Sequence, residues 1–222
     1  MKAAQLTLLQ KRLPESPGIN GRDEYLNSVV LVLLILISGE YHFVFEQRSA
    51  NIPQGGEICF PGGKFEEDKD LSREETAIRE TTEEMGIPAD KISIIGRLDS
   101  IVAPMGAIVD AFVGVADIDV HEIKANPNEV ARVFTIPVDY FQKNEPETYF
   151  ATVKVHPSYT DEQSGQEIIT FPAEMLGLPE RYSQPWGKLK YKILVYKTQE
   201  GIVWGITARF IYDVINKLSC KN

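Results

Sequence analysis

The stretch AIRETTEEMGI, residues 77–87, sets Glu80, Glu83 and Glu84 at i, i+3 and i+4, with Arg79 beside them. On a helix those three carboxylates share one face, and each like-charged pair costs a few tenths of a kcal/mol. The spacing therefore asks for full solvation or for a cation. The helix itself is well signalled. Ser72-Arg73-Glu74-Glu75 fits a capping box in which Ser72 and Glu75 satisfy each other's backbone donors. Ile78, Thr81/Thr82 and Met85 recur at helical spacing, Gly86 suits a left-handed C′ position, and Pro88 blocks continuation. The pattern predicts a helix from Ser72 to Met85.

An isolated acidic run is usually a solvated surface. Here it follows Gly62-Gly63, which let backbone approach a ligand with no Cβ in the way. Carboxylates without imidazole or thiol favour Mg²⁺, Mn²⁺ or Ca²⁺ over zinc. Arg79 points about 100° away from Glu80 around the helix. It is expected to brace the carboxylates from behind, through Glu83 at i+4 or Glu75 at i−4.

The segment GGKFEEDKDLSREETAIRETTEEMGI, residues 62–87, resembles a Nudix box, with Thr81 where an aliphatic residue is more usual. The resemblance implies the Nudix fold, an α/β/α sandwich around a mixed sheet, and metal-dependent hydrolysis of a nucleoside diphosphate linked to another moiety. It also implies Glu80, Glu83 and Glu84 as ligands for Mg²⁺ or Mn²⁺, Arg79 as their brace and Gly63 as the loop glycine. The lead-in Lys64–Ile78 is two residues longer than the general box, so the position of an expected glutamate falls on Leu71. Its task passes to Asp70 or Glu75.

The longer lead-in is similar to the coenzyme A pyrophosphatase branch. FEQRSANIPQGGEICFPGG, residues 45–63, matches that branch at Arg48, Ser49, Gly56 and Phe60–Gly63, and residues 128–141 and 202–215 also look like its later segments. A second arginine usual in the upstream loop is replaced here by Ile52 or Pro53, and the loop is one residue shorter. On this likeness the substrate is coenzyme A or a thioester, and the products are 3′,5′-ADP and (acyl-)4′-phosphopantetheine. Glu129 stands where related enzymes carry a loop carboxylate that acts as base or extra ligand; an exposed loop glutamate is the plain alternative. Arg48 and Lys64 are candidate phosphate contacts beside Gly62 and Gly63, Arg48 as a fork and Lys64 as a point charge. The rivals are ADP-ribose or another nucleotide as substrate, or a Nudix module that binds without turnover.

The rest of the chain bounds this reading. Its 222 residues suit a single α+β domain with a core of about 28–218, and strands, helix, more strands and a helix follow in order. SVVLVLLILIS, residues 28–38, reads as a strand buried on both faces and turned by Gly39-Glu40. Residues 92–102, 107–116 and 131–136 read as further strands, 157–187 as a loop, and Ile206–Leu218 as a closing helix with Ile206, Phe210, Val214 and Leu218 inward. A formal charge of −9 argues against nucleic acid as a partner. The longest apolar run is too short to span a membrane, the start lacks the pattern of a signal peptide, and Cys59 and Cys220 form no framework. A cytoplasmic chain with reduced thiols is expected, with a small nucleotide as partner and homodimerisation left open. His42, His121 and His156 show no ligand spacing, and Trp186 and Trp204 read as packing residues.

Overall fold

The computed structural model describes residues 3–219, so Cys220 lies outside the described residues. Helix α1 (Ala3–Arg12) leads into the long strand β1 (Leu26–Ile37), β2 (Glu40–Arg48), and the short β3 (Ile58–Cys59) and β4 (Gly62–Lys64). Helix α2 (Arg73–Met85) is followed by β5 (Ile92–Arg97), β6 (Ile101–Ala103), β7 (Ala107–Ala116) and β8 (Val130–Pro137). The last part comprises α3 (Val138–Lys143), β9 (Glu147–Val155), β10 (Ser158–Thr160), β11 (Glu167–Ile169), β12 (Trp186–Thr198), β13 (Gly201–Trp204) and α4 (Gly205–Ser219).

Eight strands form a mixed sheet ordered β3-β2-β1-β7-β5, with β4 also on β1, β6 on β7 and β8 on β2. Strand β1 is its hub. One edge runs parallel to β7 from Leu26 to Ile35. The other edge is shared, with β4 pairing Ser28–Val30 and β2 pairing Leu34–Ile37. Between them the Leu31 N–H donates to the Pro61 carbonyl at 2.9 Å. This side of the sheet therefore forks.

Alternation along β1 sends Val32 and Leu34 to one face, where Phe43, Phe45, Phe60, Phe141, Tyr196 and α4's Phe210 form an aromatic-rich core. Leu31, Leu33 and Ile35 go to the other face, against Ala77 and Met85 of α2, with Ile87 and Phe112. Burying each such side chain contributes about 1.5–3 kcal/mol. Helices thus cover both faces of a mixed sheet, as expected of an α+β Nudix fold. A second sheet, β13-β12-β9, and the β10-β11 hairpin complete the chain.

Both ends of α2 are pinned. Ser72 caps the start by accepting from the Glu75 N–H, and Gly86, at φ 67°, ends the helix in the left-handed region. Arg73 then anchors the first turn to the sheet, its Nε 2.8 Å from Oδ2 of Asp110, a fully buried residue of β7. Arg22 also pairs with Asp110, and Arg97 reaches it at 2.8 Å. At the far end, Lys124 and Asn126 donate backbone N–H bonds to the carbonyls of Met85 and Glu84.

Several local expectations are corrected. The β1–β2 turn is Ser38-Gly39, both at positive φ, with Ile37 opposite Glu40, so Glu40 already belongs to the strand. Residues 92–102 form two strands, because Leu98 turns into the core and Ser100 bonds Asp110. Glu75 reaches the Leu71 N–H at 2.8 Å, so the capping box is displaced by one residue. Within 157–187 the chain forms the β10-β11 hairpin. Phe210 and Val214 face inward as expected and Ile206 packs against the same core, but Leu218 is exposed, and Ala208, Ile211 and Ile215 complete the inner face of α4. Trp204 is exposed too, whereas Trp186 packs against Phe171 and Tyr182.

Candidate active site

Strand β4 pairs with β1 and helix α2 packs against both, and this meeting brings the glycine pair to the glutamates. The Gly62 N–H donates to Glu84 Oε2 at 2.8 Å. A Cβ on Gly63 would collide with the Glu80 carboxylate, and one on Gly62 would collide with the Val29 carbonyl. Both glycines are thus demanded by close approach. Glu84 is almost fully buried, Glu80 is largely shielded, and Glu83 is more than half exposed.

Arg79 organises the exposed side of this group. Its Nη1 lies 2.9 Å from Glu80 Oε1 and 3.1 Å from Glu83 Oε2. Its Nε and Nη2 hold the two oxygens of Asp70 at 2.8 and 3.0 Å, a fork-to-fork pair. Asp70 also accepts from the Thr76 hydroxyl and the Glu66 N–H. Of the two candidates left open by the long lead-in, Asp70 is therefore the one that meets Arg79, while Glu75 caps the helix. The bond from Arg79 holds the Asp70 carboxyl down to about 2.

Arg48 ends β2 and is fixed by its Nε bond to the Pro53 carbonyl at 3.1 Å; one Nη lies 3.8 Å from Glu46 Oε1. The loop of residues 49–57 is closed at its base, where Arg48 and Glu57 exchange one backbone bond and Gly56 donates to the Arg48 carbonyl. Glu129 is exposed and lies beside the same loop, its carbonyl accepting from the Ser49 N–H at 2.8 Å. Its charge is felt by both Glu46 and Glu80. Lys64 is exposed at the end of β4.

The sequence reading missed Glu46. It is fully buried, and its Oε1 accepts from the Cys59 thiol at 3.3 Å. The signal was strand parity: Glu46 lies two residues beyond Val44, on the face that packs against α2. Burial pushes up the carboxyls of Glu46, Glu84 and Glu80; Glu46 adds to the rise at Glu84, and Glu80 to the rise at both Glu46 and Glu84. Burial, followed by the charge of Glu46, pushes the Cys59 thiol up, so it stays a donor.

As they stand, no three acidic, imidazole or thiol side chains among the described residues converge tightly enough to hold an ion. Glu84 is tied to Gly62, and Glu80 and Glu83 to Arg79. The chemistry of the group nonetheless fits a hard divalent cation. All its donors are carboxylate oxygens, two of its members are buried against mutual repulsion, and Glu46 Oε2 is buried with no hydrogen-bond partner among the described residues. A separate cavity of about 990 Å³ opens on the α4 side, lined in part by Ile101, Tyr191, Arg209 and Tyr212, and contains none of these glutamates.

Comparison with known proteins falls on the same segment. Mouse peroxisomal coenzyme A diphosphatase NUDT7 is 36% identical over 124 residues, 54% of this chain and 50% of that protein. Human mitochondrial coenzyme A diphosphatase NUDT8 is 30% identical over 127 residues, 55% of this chain and 53% of that protein. The chain spans about half the length of these curated relatives. Among solved structures, the Nudix hydrolase RenU from M. smegmatis aligns with a TM-score of 0.43 at 18% identity, covering 54% of this chain and 74% of that one. The family model for the NUDIX domain matches residues 27–158, from the start of β1 through β9, and so takes in β4, α2 and every glutamate described above. With that match extending over more than half of its length, the chain belongs to the Nudix family.

Proposed function

We propose that the chain is a divalent-cation-dependent pyrophosphohydrolase acting on a nucleoside diphosphate derivative, with coenzyme A or its thioesters as substrate. The products would be 3′,5′-ADP and (acyl-)4′-phosphopantetheine. The observation that carries this reading is the set of α2 carboxylates beside Gly62-Gly63, with Glu80 and Glu83 held by Arg79 and Glu84 by the Gly62 N–H. The likeness at Phe45–Gly63 and the names of the two relatives support the substrate.

Glu80, Glu83 and Glu84 would hold Mg²⁺ or Mn²⁺. Such an ion, when bound, neutralises diphosphate charge and acidifies water. The chain's own residues do the rest. Arg79, clamped on Asp70, holds Glu80 and Glu83 beside each other, so that only one guanidinium nitrogen must release them to an ion. The Gly62 N–H orients Glu84 by binding one of its oxygens. Arg48, anchored on Pro53, offers its remaining N–H groups to a phosphate, and Lys64 adds charge at the end of β4. Glu129 takes a proton from the attacking water. In-line phosphoanhydride cleavage asks for little more than this positioning and charge stabilisation.

In this reading the whole chain works as one unit with its core at about 28–218, since α4 packs against strands of both sheets. No described helix is long and apolar enough to cross a membrane. A cytoplasmic location remains part of the proposal, although the names of the two relatives place those proteins in peroxisomes and mitochondria.

The test is product analysis after incubation with coenzyme A and Mg²⁺ or Mn²⁺, beside Glu83→Gln and Glu84→Gln variants. Formation of 3′,5′-ADP is expected, falling by about 100-fold or more in the variants. Cleavage of ADP-ribose with coenzyme A untouched would overturn the substrate. Equal turnover by the variants would overturn the site.

A further inference from the structure

Along β2, Phe43 and Phe45 enter the α4-side core and Val44 enters the α2-side core, so Glu46 continues the α2 side toward the glutamates of that helix, before the ladder with β8 shifts register between Gln47 and Arg48. Glu46 is 0% exposed. One of its oxygens is held by the weak Cys59 S–H donor, and the other, Oε2, has no hydrogen-bond partner among the described residues. The charges that bear on it are Arg48, Glu80, Glu84 and Glu129, three of the four acidic.

Two other buried acids, Asp70 and Asp110, are treated differently. Asp70 accepts from Arg79, Thr76 and Glu66, and Asp110 is surrounded by Arg22, Arg73, Arg97 and Ser100. A buried carboxylate left with an open oxygen and acidic neighbours is unfavourable unless it takes up a proton or a positive group joins it. Arg48 does not fill that role, since its Nη1 stops 3.8 Å from the oxygen already bound to Cys59.

We propose that Glu46 is a further ligand of the divalent-cation cluster, supplied by strand β2 rather than by helix α2, with Oε2 as the donor atom. This rests on the reading that the α2 glutamates hold a cation. The Cys59 thiol then acts as a positioning group: by holding Oε1, it aims Oε2 away from β3. The cation would join the sheet to the helix, so its binding would stiffen the contact between β2 and α2.

The experiment is Mn²⁺ binding to the full chain without substrate, followed by electron paramagnetic resonance of free Mn²⁺ and by the metal-induced rise in Tm. Wild type is compared with Glu46→Gln, Glu46→Asp and, as a control, Glu84→Gln. Glu46→Gln should weaken the tightest Mn²⁺ site by about tenfold or more and shrink the metal-induced rise in Tm, with the metal-free Tm unchanged or higher. Glu46→Asp keeps the charge but draws it back by one methylene, and should also weaken the site. Wild-type affinity in both Glu46 variants, with loss in Glu84→Gln, would overturn this proposal and leave the α2 site standing. Absence of Mn²⁺ binding by wild type would overturn the cation reading itself, and this proposal with it.

Discussion

The two ends of α2 hold buried acids under opposite regimes. At its start, Asp110 is ringed by Arg22, Arg73 and Arg97, more positive charge than it needs. Toward its end, Glu46, Glu80 and Glu84 crowd together with Arg48 and Arg79 at the margins. The same helix packs on the same sheet face at both ends, so burial alone does not account for the contrast. The first arrangement satisfies the carboxylate and fastens the 22–24 turn, α2 and β5 to β7. The second leaves buried carboxyl groups short of donors at a glycine-lined approach. An acid surrounded by donors holds structure, and under the proposed function an acid short of them is the one that takes a ligand.

The largest way to break this comparison is Asp110→Ala. Three guanidinium groups would lose their shared partner, and a loss of about 3–5 kcal/mol is expected from chemical denaturation. A change near zero would remove the structural role from that end.

Asp70→Asn should cost less, about 2 kcal/mol, by removing the charge from the fork that holds Arg79. Its pH dependence sharpens the assignment. The Asp70 carboxyl is lowered from its ordinary 3.8 to about 2, so the unfolded chain takes up the proton first as pH falls. The stabilisation is complete above the ordinary value and is lost as pH falls through about 2. Acid unfolding of the variant, followed by circular dichroism, should lack that component.

Glu84→Gln should have the smallest effect on folding, within about 1 kcal/mol, because the amide oxygen still accepts from Gly62 and the repulsion from Glu46 and Glu80 disappears. A loss as large as that of Asp110→Ala would show the acidic end to be fastened in the same way as the basic one.

What the sequence disclosed follows the same division. Helix α2 was legible to within one residue, because a capping serine, a left-handed glycine and a following proline are local signals. The Glu80, Glu83 and Glu84 face was legible for the same reason. Asp70 could only be narrowed to a pair, since choosing it required knowing how the 65–72 segment folds back on Arg79. Glu46 and Asp110 were missed because their partners come from distant strands and loops. Each left a trace: Asp110 interrupts the apolar run AIVDAFVGV, and Glu46 shares the parity of Val44. Trp204 went the other way, an aromatic on a strand face that the fold leaves exposed.

The fork along β1 has a consequence for the loop beside it. Where β2 and β4 part, the chain can leave for residues 49–57 and return, and the loop is sealed at its base by bonds between Arg48 and both Gly56 and Glu57. Its tip can be lengthened, shortened or recoded without moving Glu46, Gly62 or any strand register. A change in the residues at the tip would then recast the surface of that loop while the pairing of β1 with β2 and β4 stays as it is.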